Sequence, residues 1–186
     1  MSWGPIFEIG WLNAWLGALP LVAVPWLMIL FGRRETSARM GAMSPYQGGA
    51  KIAALGGTVL YYVAALYTIW LPLKIGTGLF YAGVVVFLIG IICLIVGRIN
   101  FSKTPADQPV TTGLYRISRN PLYFFGSLAV VGLGLASGSW IVIALIVVQF
   151  VFVHFAVLAE ERFCLEKYGQ SYQEYKDRTP RYFLFF

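Results

Sequence analysis

Two short polar stretches carry the side chains best suited to chemistry. The first runs from Gly113 to Tyr123 and reads Gly-Leu-Tyr-Arg-Ile-Ser-Arg-Asn-Pro-Leu-Tyr. The second begins at Glu160-Glu161 and continues through Tyr168-Gly169, Tyr172, Tyr175 and Pro180-Arg181. Neighbouring helical residues point about 100° apart, because 3.6 residues make a turn. One of the two glutamates can therefore enter a pocket while the other pairs with Arg162, Arg178 or water. The single histidine, His154, lies in an apolar run. An ionisable group in such a run is costly to bury and marks a site by default; it either lines that site or bonds a neighbouring helix. Together the two stretches have the residues to enclose a charged ligand.

The elements that must position them are membrane spans. Of the 186 residues, 59% are hydrophobic and 12% charged, about half the charge of an ordinary soluble domain. The two cysteines, Cys93 and Cys164, have neither metal-ligand spacing nor the number a disulfide framework needs. The net charge of +6 sits in loops beside apolar runs, so it fits anionic lipid and topology control, and no nucleic acid partner is expected. A bilayer core of roughly 30 Å takes about 20 apolar residues per helix. Spans are expected at about 9–31, 52–71, 78–98, 121–136 and 140–159. Pro20 and Pro25 should kink the first, and Pro121 suits the first position of the fourth. The fold class expected is all-α: one polytopic membrane domain with five transmembrane helices. The last two form a hairpin, followed by a C-terminal amphipathic helical segment.

Gly76, Gly83, Gly90 and Gly97 recur every seventh residue, close to two helical turns, and form one stripe that predicts a packing seam. Gly126, Gly132, Gly134 and Ala136 are expected to let the arms of the hairpin close on each other. Phe163, Tyr168, Tyr172 and Tyr175 suit an interfacial face. The basic loops are 32–51 and 98–120 and the tail; the N-terminus and the turns at 72–77 and 137–139 are not basic. The positive-inside rule then places the N-terminus outside, the C-terminus in the cytoplasm, and both polar stretches on the cytoplasmic side.

No phosphate-binding loop, dinucleotide fingerprint, zinc-protease motif or serine-hydrolase elbow is present. A transporter is disfavoured because the spans hold few ionisable residues and no pair of broken helices. A structural membrane protein would need only the glycine stripe. The order Gly-Leu-Tyr-x-x-x-Arg-Asn-Pro-x-Tyr, a hydrophobic hairpin, Glu-Glu-x-x-Leu-x-x-x-Tyr-Gly-x-x-Tyr-x-x-Tyr and a late Pro-Arg spans about 100–181. It resembles the isoprenylcysteine carboxyl methyltransferase family, integral-membrane enzymes related to phospholipid methyltransferases.

That resemblance implies methyl transfer from S-adenosyl-L-methionine to a lipid-borne acceptor, such as the carboxylate of an isoprenylated cysteine, leaving S-adenosyl-L-homocysteine. The partners it implies are the lipid bilayer and a prenylated acceptor. It implies cofactor contacts at Asn100, Asp107, Gln108, Pro109, Val110, Tyr115, Asn120, Pro121, Leu122, Tyr123 and Glu160. Tyrosine rings suit the adenine, Glu160 the ribose diol or ammonium, and the helix start at Pro121 the α-carboxylate. Arg119 is a second partner for that carboxylate. Asn120 stands where eukaryotic members usually have histidine; asparagine binds but does not titrate near neutral pH. An ionised carboxylate acceptor needs no general base. An amine acceptor must lose a proton, which would give Glu161 or His154 a role.

Overall fold

The computed structural model describes residues 12–31 and 46–183, the side chains of Pro25 and of 27–31 excepted. Six α-helices are present among them: α1 Trp15–Phe31, α2 Gly49–Tyr67, α3 Gly78–Lys103, α4 Pro121–Ser137, α5 Trp140–Tyr168 and α6 Gln170–Arg178. Single 3-10 turns at Thr68–Trp70 and Gly113–Arg116 link them, and the described residues hold no strand. Among the described residues three helices are long and apolar enough to cross a membrane: α2 with its 3-10 extension, α3 and α5. The first expected span is helical from Trp15, its backbone continuing through Pro20 and Pro25; residues 9–11 and the loop at 32–45 lie outside the described residues.

Short polar side chains, Thr77 and Ser139, cap the starts of α3 and α5. The Thr77 hydroxyl accepts the Phe80 N–H at 3.1 Å and opens α3. Gly138, at φ +65°, closes α4 in the left-handed conformation. A Cβ there would also strike the Lys74 side chain. At this end of the bundle, backbone bonds tie the chain together. The Ala14 N–H reaches the Leu71 carbonyl at 2.9 Å, and the Lys74 N–H reaches that of Ala136 at 3.0 Å.

α4 is the hub. Its buried residues, among them Phe125, Ala129, Val130, Leu133 and Ala136, point around the helix instead of along one stripe. Phe125, Ala129, Val130 and Leu133 meet Leu21 of α1, Ala64 of α2, Leu94 of α3 and Ile146 of α5 in one core. At 17 residues and 1.5 Å per residue it is about 25 Å long, and protein shields it on most sides. The outward faces of α2, α3 and α5 are apolar instead, with Ile52 and Val59, Val85 and Ile92, and Val147 and Phe155 exposed. Apolar side chains on an outer face are what a hydrocarbon surround requires.

The glycine stripe is the seam between α3 and α4. A Cβ on Gly90 would lie 2.6 Å from the Ala129 backbone nitrogen, and one on Gly97 would lie 2.9 Å from Leu122 Cδ2. Gly83 abuts the Ala136 backbone in the same way. Gly76 stands apart: it sits in the preceding turn at φ +87° with open space around it. The small residues of α4 serve this seam, a correction to the expected hairpin packing. Gly132 and Ala136 face α3, Gly126 meets Tyr61 of α2 and Leu94 of α3, and Gly134 meets Val142 and Ile143 of α5. The hairpin is present in the chain, but its closest backbone approach is to the helix before it.

Beyond the spans, α5 continues for nine residues past Ala159 and stops at Gly169, whose φ of +54° turns the chain. The short α6 then folds back. Its aromatic face is directed inward: Tyr172 and Tyr175, two of the four aromatics expected on an interfacial face, are buried against Val110 and Tyr115 instead.

Candidate functional site

Both polar stretches arrive at one end of the bundle. About 20 residues of α5, from Trp140, are enough to cross a 30 Å core. The helix from Glu160 onward therefore projects past it. The first stretch reaches the same level because α3 rises to Lys103 and Pro121 starts α4 there. Between these helices, Asn100 Oδ1 accepts the Leu114 N–H at 3.1 Å. Asn100 packs so closely on Gly113 that any Cβ there would collide with it; that glycine also needs its φ of +61°. Asn100 thereby fixes the 3-10 turn that leads into the Arg119-Asn120-Pro121 corner.

The two glutamates divide their work. Glu161 is buried, with both oxygens engaged. Arg119 Nε donates to Oε1 at 3.0 Å; Arg181 donates through Nε to Oε1 at 3.0 Å and through Nη2 to Oε2 at 2.8 Å. The Glu161 and Arg119 side chains are 6% and 2% exposed, so this is a water-poor ion cluster. Burial alone pushes the Glu161 carboxyl up, but the hydrogen bonds from Arg181 and Arg119 and their charges outweigh it and hold the group below its ordinary value. Arg181 is raised in turn, chiefly by its bond to Glu161. The partners differ from the expected Arg162 and Arg178: Arg162 Nε instead donates to the carbonyl of Leu158.

Arg119 also secures the tail. Its Nη1 donates to the carbonyls of Lys176, at 2.9 Å, and Thr179. Its backbone N–H donates to the Pro180 carbonyl at 2.9 Å, and the Ser118 hydroxyl to that of Arg181 at 2.9 Å. Asn120 Nδ2 stands 3.5 Å from Glu161 Oε1, the limit for a hydrogen bond. The arginine named for a ligand carboxylate thus directs its Nε, its Nη1 and its backbone N–H to groups inside the protein.

Glu160 faces the other way. The Tyr123 hydroxyl donates to its Oε1 at 2.6 Å, the Tyr46 hydroxyl donates to the same oxygen, and the two phenols lie 3.3 Å apart. Among the described residues Oε2 accepts no such bond. Glu160 and Tyr123 are half-buried, and Tyr123 itself lies in the first turn of α4, where backbone N–H groups have no partner within the helix. A carboxylate oxygen, phenol rings and a helix N-terminus come together here.

The remaining sequence-named residues form a third group. Val110 and Tyr115 are buried with Tyr172 and Tyr175, and Leu122 packs against them. The Tyr175 hydroxyl donates to the Tyr115 carbonyl at 2.7 Å. Asp107 and Gln108 are exposed and Pro109 is half-buried; their loop is tied to the end of α5 by the Tyr168 hydroxyl on the Ala106 carbonyl, 3.1 Å. His154 is half-buried on α5, its ring centroid 6.1 Å from that of Tyr182 and 5.9 Å from Phe155.

Two participants carried little signal in the sequence. Tyr46 is a single aromatic in a basic loop, with no spacing to connect it to Glu160 over 114 residues. Tyr182 follows Arg181 in what reads as a polar tail, yet it is buried against Val153 and Val157.

The phospholipid methyltransferase family matches residues 72–171 of the chain. Over 100 residues, 52% of this chain and 47% of the relative, it is 30% identical to the nickel-cobalt-cadmium resistance protein NccN of Alcaligenes xylosoxydans xylosoxydans. Over 101 residues, 52% of this chain and 46% of the relative, it is 32% identical to the cobalt-zinc-cadmium resistance protein CzcN of Cupriavidus metallidurans. The chain thus matches about half the length of these curated relatives. Among the described residues no group of three or more histidine, cysteine, aspartate or glutamate side chains could hold a metal ion. No solved structure matches the chain.

Proposed function

The chain belongs to the phospholipid methyltransferase family, and from that premise we propose that it transfers a methyl group from S-adenosylmethionine to a lipid-borne acceptor where membrane meets cytosol. The observation that carries the reading is the Glu160 cluster. One carboxylate oxygen is held by Tyr123 and Tyr46, so the other is presented in a fixed direction to a ribose hydroxyl or an ammonium. The α4 start adds N–H donors and a positive dipole end for the α-carboxylate. The residues present fit such a ligand. When bound, S-adenosylmethionine supplies a methyl group on a sulfonium, which leaves for an incoming lone pair.

The chain's own part is to bind, orient and exclude water. The Glu161–Arg119–Arg181 cluster clamps the tail against α4 and α5 and so keeps the Glu160 side of the helix facing its tyrosines. α1 to α5 are inferred to cross the membrane, with the N-terminus outside and the site in the cytoplasm, as the basic loops favour.

The acceptor inferred is the carboxylate of an isoprenylated cysteine or a similar thiol acid. Both glutamates already accept strong hydrogen bonds, so neither stands as a ready base. An ionised carboxylate needs none; positioning and removal of water suffice. The family match favours a second reading, the amine head group of a phospholipid. An amine would first give up its proton; with both glutamates engaged, His154 is the remaining candidate of the two named from the sequence.

The test is calorimetric binding of S-adenosylhomocysteine to the purified full chain, followed by turnover with S-farnesylcysteine and with phosphatidylethanolamine. Binding lost in Glu160→Ala and Tyr123→Ala, with both variants still membrane-inserted, is the expected result. Unchanged affinity in both would remove the site assignment.

A further inference from the structure

The tail after α6 does more than end the chain. Fixed by Pro180 and Arg181, it turns back along the bundle and packs the Phe183 ring on Phe124 and Phe125, with centroids 4.6 and 5.2 Å apart. The residue between these anchors, Tyr182, is placed against α5. Its ring packs on Val153 and Val157, with Phe150 at 5.0 Å and Tyr123 alongside. His154, one turn from Phe150, closes the same face at 6.1 Å. The residue is 9% exposed. Its hydroxyl is buried and has no hydrogen-bond partner among the described residues. Two cations, Arg181 and Arg119, and two anions, Glu161 and Glu160, are within electrostatic reach of it.

A buried hydroxyl without a partner is costly, and neighbouring residues normally supply one. The ring alone would pack as well without the oxygen. Next to it stands Tyr123, which fixes Glu160. Beyond His154, whose ring lies 5.9 Å from that of Phe155, is the exposed apolar side of α5 with Val151 and Phe155, along which a lipid tail can lie. The group that lacks a partner is an O–H, so what completes it is an acceptor oxygen.

We propose that Tyr182 positions the methyl acceptor: its hydroxyl donates a hydrogen bond to an anionic oxygen at the head of a lipid lying along α5. The carboxylate of a thiol acid and the phosphodiester of a phospholipid both present that oxygen. The proposal rests on the methyltransferase reading and gives that site its acceptor side. Tyr182 is a positioning residue here, with Phe150 and His154 setting the plane of its ring.

The experiment uses the full chain in lipid nanodiscs and the variant Tyr182→Phe, which removes one oxygen. The expected variant melts no lower than the parent, because the lost hydroxyl satisfied nothing in the protein. Its affinity for S-adenosylhomocysteine stays within about twofold. Its KM for one acceptor rises about tenfold or more while kcat changes little, as expected when a hydrogen bond to a charged oxygen is lost. S-farnesylcysteine and phosphatidylethanolamine are assayed separately, and the arm whose KM rises identifies the source of the oxygen. An unchanged KM in both arms, with normal S-adenosylhomocysteine binding, would overturn the assignment of Tyr182. So would a parent protein that binds S-adenosylhomocysteine and turns over neither acceptor. A parent protein that fails to bind S-adenosylhomocysteine would instead remove the methyltransferase reading beneath it.

Discussion

Glu161 and Arg181, twenty residues apart in the chain, form a two-pronged ion pair: Nε to Oε1 at 3.0 Å and Nη2 to Oε2 at 2.8 Å. Arg119 shares the same carboxylate. One anion thus holds the loop before α4, the end of α5 and the returning tail together. Removing that anion leaves Arg119, almost wholly buried, without an opposing charge. Glu161→Gln is expected to cost about 3 kcal/mol or more. Arg181→Lys keeps the charge but loses the planar fork, and is expected to cost about 1 kcal/mol at its partly exposed position. Denaturant unfolding in detergent measures both. Equal effects of the two substitutions would show that Arg119 is not held by Glu161.

The same cluster sets a pH dependence. Glu161 is held below its ordinary value in the folded protein. A group depressed on folding contributes stability that is fully present above its unfolded value, about 4.3, and is lost as pH falls through its folded value. The melting temperature should therefore be level from about pH 7 to 5 with respect to this group and fall below about pH 4. In Glu161→Gln that acid limb should be shallower. A melting curve of identical pH dependence in parent and variant would remove Glu161 as its source.

Much of this arrangement was legible in the sequence, and the exceptions have physical causes. Apolar length and the proline at the first position of α4 located the helices, because each is a local property. That Tyr123 and Glu160 meet was also readable, since alternating spans bring both to one side. The partners of Glu161 were not. Arg162 and Arg178 are nearer in sequence, but Gly169 turns the chain and delivers Arg181 instead. The seam was read correctly at Gly83, Gly90 and Gly97 of α3 but not at Gly76, and was assigned to the wrong partner on α4. Small residues announce that a backbone will approach, not which one, and Gly132 serves the helix before the hairpin. Tyr46 could not be foreseen, because a lone tyrosine in a basic loop reads as an interfacial anchor.

The seam itself predicts a contrast between two glycines of one helix. A Cβ at Gly90 would lie 2.6 Å from backbone in α4, whereas one at Gly78 meets nothing within 4 Å. Backbone cannot rotate away as a side chain can, so Gly90→Ala must push the helices apart. That should cost about 1–3 kcal/mol, as overpacking does. Gly78→Ala, at the exposed start of α3, should be neutral or stabilise by a few tenths of a kcal/mol. Paired thermal melts decide it, and equal melting temperatures would mean that α3 and α4 are not in backbone contact.

The Glu160 cluster gives the sharpest test of function. Tyr123 and Tyr46 bond the same oxygen of Glu160, so either phenol alone still orients the carboxylate in part. Tyr123→Phe and Tyr46→Phe should each weaken S-adenosylhomocysteine binding by about tenfold, the effect of one hydrogen bond to a charged group. Because they share an acceptor, the double variant should depart from additivity. Glu160→Ala removes the acceptor itself and should lower affinity by about a hundredfold or more. None of these side chains belongs to the Glu161 clamp, so melting temperatures should change far less than in Glu161→Gln. Calorimetry beside thermal melts separates the two effects. A Glu160→Ala variant that binds as the parent does would place the methyl donor elsewhere in the molecule.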